Sequence, residues 1–254
     1  MNMNTKKVLN KSKKKYILSI AFISLITLVS SKFTTLTDTF FDKAIAIEYI
    51  GQVEGFPVED AVTYNYTSTG NYNGRINCTM SRSEFNPYNL EENYAVTKTD
   101  KKIEIDLKSV IHPMNLTADD NTQITSSGDK IDLPNNLTVG ERLADKSGTL
   151  TFAINDRATK KMDIKVKDRI VVAKEEIIVD QLKYETYKLD YTIITQKYYN
   201  GVLFEKTAED IQEWVLPGVG FLKRISSTEG SYYNNNEVMN TYNTKFTLTA
   251  KSIK

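Results

Sequence analysis

The chain has 254 residues, 40% of them hydrophobic, with 33 basic residues against 32 acidic ones, one cysteine and one histidine. It is long enough to bury a sizeable core. The lone Cys78 cannot form an internal disulfide, and one His with one Cys falls short of the three or four ligands of a zinc site, so no metal and no cofactor is expected.

At the amino terminus, Lys6, Lys7, Lys11, Lys13, Lys14 and Lys15 form a positive region, Tyr16 to Val29 an apolar one, and Val29-Ser30-Ser31 a small-residue cleavage site. This predicts a secretory signal peptide over residues 1–31. An uncleaved anchor is the alternative reading, but about 15 apolar or hydroxyl residues fall short of the ~20 that span a bilayer. Cleavage removes six of the 33 basic residues and no acid, leaving 27 against 32 and a charge of about −5 on the remaining 223 residues. A mildly acidic chain argues against nucleic acid as a partner, because phosphate backbones are bound by basic patches. Membrane contact is expected only transiently, through the signal peptide. Residues 32–54 read as an extension or linker, and residues 55–254 as one β domain.

From there the chain reads as strands. "AVTYNYT" and "RINCTMS" flank "STGNYNGR", residues 68–75, where Gly70 and Gly74 predict a hairpin with a longer loop. Cys78 reads as a small buried hydrophobe, since no motif ties it to His112 in "SVIHPMN". In "KIEIDLK", Ile103, Ile105 and Leu107 alternate with Glu104, Asp106 and Lys108. Such alternation puts one face on a core and the other in water. Residues 109–144, rich in Pro, Asn, Asp and Ser, read as a loose excursion between two sheet segments.

The alternation returns in "TLTFAIN" (Leu150, Phe152, Ile154) and "KMDIKVKD" (Met162, Ile164, Val166). In "VAKEEIIVDQLKYE" the β-branched run Ile177-Ile178-Val179 favours strand. "YETYKLDYTI" then sets Tyr187, Leu189, Tyr191 and Ile193 against Thr186, Lys188, Asp190 and Thr192, and Asn200-Gly201 is the strongest short hairpin signal in the chain. "TAEDIQEW" has a helix cap at Thr207, but its strand flanks and the Pro-Gly that follows argue against a full helix. "STEGSYYNNNEVMN" reads as a mobile polar loop, and "KFTLTA" closes the chain with Phe246, Leu248 and Ala250 alternating. Half-buried alternation marks antiparallel sheet.

The only tryptophan stands in "EWVLPGVGFLKRIS". Pro217-Gly218 predicts a corner or bulged bend, because an L-Pro-Gly turn does not match the twist of a tight hairpin. Gly220 allows a second adjustment, and Lys223 with Arg224 reads as a solvated strand end. Trp214 reads as a core anchor before a ligand platform.

"IDLPNNLTVGERLAD", "DRIVVAKEEIIVDQLKYETYKLDYTI", "IQEWVLPGVGFLKRIS" and "KFTLT" stand in the order shown by the TapB-like proteins, exported bacterial proteins of largely unknown function, which residues 55–250 resemble. Leu133-Pro134, Val139-Gly140, Tyr187-Lys188-Leu189 and the structural motif Trp214, Pro217, Gly218, Gly220 and Lys223 carry the likeness. Where many relatives have Pro-Ala-Gly in the middle turn this chain has Asp180-Gln181-Leu182, so that hairpin must turn without glycine. The resemblance implies a mainly β fold with few short helices: a single curved antiparallel sheet, or half-barrel, similar to lipoprotein-carrier and related envelope folds.

The function read from this is a non-catalytic exported envelope protein, periplasmic or extracellular, that binds an apolar ligand such as a lipid, a glycan or a partner protein on its curved sheet. Trp214, Tyr187 and Tyr191 are the candidate binding residues, and no catalytic residue is assigned. The alternative is a hydrolase of envelope polysaccharide. Such an enzyme needs two carboxyl groups across a cleft, whereas Glu175 with Glu176, Glu91 with Glu92 and Glu59 with Asp60 are neighbours that a strand sends to opposite faces. "TADDNT", with Asp119 and Asp120, lacks the Gly and terminal Glu of a calcium loop.

Overall fold

A computed structural model describes residues 45–254 apart from 56–58, 71–72, 83–88, 100, 112–121, 155–156 and 218. The predicted signal peptide, His112, Asp119, Asp120 and Gly218 therefore lie outside the described residues. Among the described residues thirteen strands follow in chain order: β1 Ile45–Val53, β2 Glu59–Gly70, β3 Asn73–Arg82, β4 Asn89–Lys98, β5 Lys102–Asp106, β6 Thr122–Gly128, β7 Lys130–Pro134, β8 Lys146–Ile154, β9 Arg157–Val179, β10 Leu182–Tyr199, β11 Val202–Leu216, β12 Gly220–Asn234 and β13 Glu237–Ile253. Among the described residues the one helix is a 3-10 turn, Leu107–Val110, capped by the Asp106 carboxylate on the Lys108 amide. Mainly β architecture is thus what the alternation dictates.

The strands form one sheet in the order β6-β8-β9-β10-β11-β12-β13-β1-β2-β3-β4-β5-β7, and each neighbouring pair is antiparallel. Its two edge strands, β6 and β7, are consecutive in the chain with only Asp129 between them. The sheet must therefore curve until its edges meet. At Asp129 the chain leaves one edge for the other: Gly128 pairs with Gly148 of β8, and Lys130 with Asp106 of β5. No side chain would fit at the crossing, since a Cβ on Gly128 would lie 2.6 Å from the Gly148 Cα, and one on Gly148 would lie 2.6 Å from Leu107 Cδ2. Leu107, Val110 and Ile111 are all buried.

Three hairpins turn through two residues with positive φ: Asp180 (49°) and Gln181 (64°), Asn200 (49°) and Gly201 (82°), and Asn235 (49°) and Asn236 (67°). These left-handed pairs suit the twist of long antiparallel strands. The middle one is the hairpin its Asn-Gly predicts. The last corrects the expectation of a polar loop at residues 227–240. Asn tolerates the left-handed region, so the asparagines close a tight turn and the strands run up to it, with Asn234 paired to Glu237. The excursion predicted for residues 109–144 is corrected in the same way, since β6 and β7 lie within it and form the seam. The predicted loop between β2 and β3 shrinks too, with Gly70 paired to Asn73. Within the expected extension or linker of residues 32–54, residues 45–53 form β1 between β13 and β2.

Burial follows the alternation. Leu150, Met162, Ile164, Val166, Leu189, Tyr191, Ile193, Ile211, Leu248 and Ala250 are buried, each large side chain contributing roughly 1.5–3 kcal/mol of apolar transfer. They define the inner face of the central strands.

Candidate functional site

The inner face is not uniformly apolar. Cross-strand pairing aligns Leu189, Tyr191, Ile193, Thr195 and Lys197 of β10 with Glu213, Ile211, Glu209, Thr207 and Glu205 of β11. Three glutamates, four residues apart, thus share a face with the core. A strand places residues two and four apart on one side, so these carboxyls enter the interior together.

Each has its own surroundings. Glu213, buried, accepts hydrogen bonds from Arg224 Nε (2.9 Å) and Nη2 (2.5 Å) and from the Tyr191 hydroxyl (3.1 Å). Glu205, also buried, accepts from the Tyr242 hydroxyl at 2.5 Å and pairs with Lys197 Nζ at 2.7 Å. Between the two glutamates, the Thr195 and Thr207 hydroxyls share a hydrogen bond of 2.6 Å. Glu209 is half-buried, with the buried Ser226 beside it. Among the described residues it makes no ion pair. Its burial outweighs the favourable Arg224 charge and the nearby Ser226 hydroxyl and pushes its carboxyl above the usual carboxylate range. Burial likewise raises the Tyr191 and Tyr242 phenols, helped by the glutamates beside them.

Two glycines make room for aromatic rings on this face. A Cβ on Gly51 would meet Phe246 Cζ at 2.7 Å, and one on Gly230 would collide with the Tyr242 ring. Tyr242 also packs on Tyr232, with ring centroids 5.2 Å apart. The Tyr49 hydroxyl donates to the Phe221 carbonyl at 2.6 Å.

The residues singled out in the sequence divide between the two faces. Tyr191 is buried on the inner face and its hydroxyl is held by Glu213. Tyr187 is half-buried, with Lys174 Nζ 5.5 Å from its ring centroid. Trp214 lies on the opposite face from Glu213 and Val215, buried to 6% exposure, with Nε1–H donating to Glu175 Oε2 at 2.6 Å. Lys188 and Lys223 Nζ stand 5.1 and 4.7 Å from its ring centroid. The structure therefore does not bring the three aromatics together.

The segment after Trp214 is a hairpin turn that reverses the chain, with Leu216 paired to Gly220, rather than a corner within one strand. Val219 N–H donates to the Leu216 carbonyl across Pro217, the pairing shifts between Trp214 and Val215, and Gly220 adopts φ +128°. Nothing lies within 4 Å of where a Gly220 Cβ would sit, so backbone conformation alone requires the glycine. Lys223 and Arg224 correct the reading of a solvated strand end. They point to opposite faces, one onto Trp214 and the other onto Glu213, because successive strand residues alternate.

Sequence reasoning missed the glutamate ladder because it weighed only adjacent acids. The signal was present in "TAEDIQEWV", where Thr207, Glu209, Ile211, Glu213 and Val215 fall on one parity. It also missed the seam. Arg169 of β9, buried to 3% exposure, donates to Asp132 Oδ1 of β7 at 3.0 Å and to the Asp132 carbonyl at 2.5 Å, while Lys146 of β8 lies 3.2 Å from the same carboxylate oxygen. Burial opposes the charge on Asp132, but the Arg169 hydrogen bond and the Lys146 and Arg169 charges outweigh it and hold the carboxyl below its ordinary value. Among the described residues no three His, Cys, Asp or Glu side chains converge as metal ligands would.

These features define a mainly β protein built on one curved antiparallel sheet with a charged, aromatic inner face. Residues 58–244 match the model of the DUF3108-like family, and the chain belongs to that family. The fold is shared with two crystal structures. One is of a candidate lipoprotein from Parabacteroides distasonis (14% identity, TM-score 0.56, covering 84% of this chain and 95% of that one). The other is of a candidate exported protein with a YmcC-like fold from Bacteroides fragilis (16% identity, TM-score 0.54, 83% and 95% covered). No curated protein matches the chain.

Proposed function

We propose that this is a non-catalytic exported envelope protein that holds an amphipathic ligand, a lipid or a glycan, on the inner face of β10–β13. The observation that carries the reading is Glu209: a half-buried carboxyl without a cationic partner among the described residues, set between two glutamates that have one. A hydroxyl or ammonium group of a ligand would supply a donor to this carboxyl, and the half-buried Phe246 on the same face would meet its apolar part. Export is supported by the amino-terminal segment and by the two fold relatives, one a candidate lipoprotein and one a candidate exported protein. A closer kinship with the TapB-like proteins is part of this proposal and rests mainly on the Trp214-to-Lys223 element.

Polysaccharide hydrolysis is the weaker reading. Four residues of strand separate successive inner glutamates by about 13 Å, beyond the roughly 5–9.5 Å of glycosidase carboxyl pairs. Native mass spectrometry of protein purified from the exporting host is expected to show a bound adduct that Glu209→Gln weakens. Protein that is repeatedly empty, and that binds neither lipid nor glycan arrays, would refute the ligand reading.

A further inference from the structure

The turns Asn200–Gly201 and Asn235–Asn236 lie side by side at one end of the sheet, because β11 and β12 pair from Leu216↔Gly220 up to Glu205↔Tyr232. Large hydrophobic side chains are exposed there: Tyr199 (52%) and Val202 (51%) flank the first turn, and Tyr232 (43%), Val238 (56%) and Met239 (65%) flank the second. Side chains of this kind form an apolar surface at two adjacent hairpin turns, and such a surface marks a docking site.

Cations surround it. Lys160 is the cross-strand partner of Tyr199, Lys161 of Tyr198, and Lys206 of Ser231. All three are exposed, and Lys160 and Lys206 make no ion pair among the described residues. Lys161 pairs with Asp163 at 3.0 Å, and Glu237 is the acid at the second tip. A groove of about 540 Å³, lined by Lys160, Lys161, Asp163 and Tyr198 among others, opens beside Asn200 and Gly201.

We infer that these two tips dock the protein on a phospholipid surface carrying anionic head groups. Lysine is depleted from protein–protein interfaces but favoured at bilayer surfaces, where its stem packs on apolar groups and its ammonium reaches phosphate. Tyrosine suits the same depth, with an apolar ring and a polar tip. In this arrangement Val202, Val238 and Met239 enter the acyl boundary, and Lys160 and Lys206 meet the phosphates. The contact extends membrane association beyond the transient one expected of a signal peptide. It rests on the export reading but not on ligand binding at Glu209.

The test is vesicle flotation with protein purified from the exporting host, using phosphatidylcholine alone and phosphatidylcholine mixed with phosphatidylglycerol. Wild-type protein is expected to float with the mixed vesicles. The triple variant Val202→Asp, Val238→Asp, Met239→Asp should lose about tenfold in partitioning. Lys160→Glu with Lys206→Glu should abolish the preference for phosphatidylglycerol while retaining binding to the neutral lipid. These positions are exposed, and unchanged thermal melting will show that the variants fold. Protein that ignores both vesicles, or variants that float like wild type, would overturn the inference, as would wild-type dimerisation through the tips without vesicle binding. A Glu209→Gln variant that loses its adduct yet still floats would separate the two proposals.

Discussion

At the scale of single residues, the inner glutamates show how a β-strand can carry charge into a core. Glu213 and Glu205 are matched by Arg224, Lys197 and two tyrosine hydroxyls, so their ionised forms are hydrogen-bonded. Glu209 makes no ion pair among the described residues, and its raised carboxyl means that the folded state binds its proton more tightly than the unfolded chain does. The ionised form therefore costs stability at neutral pH, and the cost disappears as pH falls through the folded value towards the ordinary carboxylate range. Glu209→Gln is expected to raise stability at pH 7 by an amount on the order of 1 kcal/mol. In urea titrations the gain should shrink to nothing in acid, and an equal gain at every pH would point to a packing effect instead.

At the scale of elements, the hairpins show what turn chemistry does and does not announce. Asn200-Gly201 is legible from two letters, since both residues accept positive φ. Asp180-Gln181 carries no such signal, yet it closes in the same geometry because β9 and β10 pair over most of their length and force it. Gln181 sits at φ 64°, where a side chain with a β-carbon is strained, so Gln181→Gly should stabilise the protein by about 0.5–1 kcal/mol. The denaturant midpoint would measure it, and a lowered midpoint would mean that the long strands hold the turn without strain. The same logic explains the misreading of residues 227–240. Their polar composition looks like a loop, but a strand with one or both faces in water is polar too.

At the scale of the whole molecule, the seam is the decisive feature. The sheet stays open, but its two edges are brought together because one stretch of chain, β6 and β7, serves both, and Arg169, Lys146 and Asp132 tie β7 to β8 and β9 across the junction. The lowered Asp132 carboxyl contributes stability that is present above its unfolded value and lost as pH falls through the folded one. Asp132→Asn leaves a buried guanidinium without its counter-charge, and should cost about 2–3 kcal/mol. Hydrogen exchange should show the loss as faster opening of β6 and β7, with β10–β12 protected as before. Uniform loss of protection would mean that the seam is no separate unit.

Period-two alternation determined by itself that the chain is antiparallel β, and named most of the core: Met162, Ile164, Val166, Leu189 and Ile193 are buried as their parity requires. A strand exposes its pattern to inspection because its side chains alternate regardless of what it packs against. Which strands neighbour one another is not local, and only the tertiary structure decided it. The pairing of β7 with β5 rather than β8, the return of β1 to β13, and the meeting of Glu209 with Ser226 or Arg169 with Asp132 all join residues that sequence leaves apart. Long-range pairing depends on the curvature of the entire sheet, which is the sum of many small twists and is written at no one position.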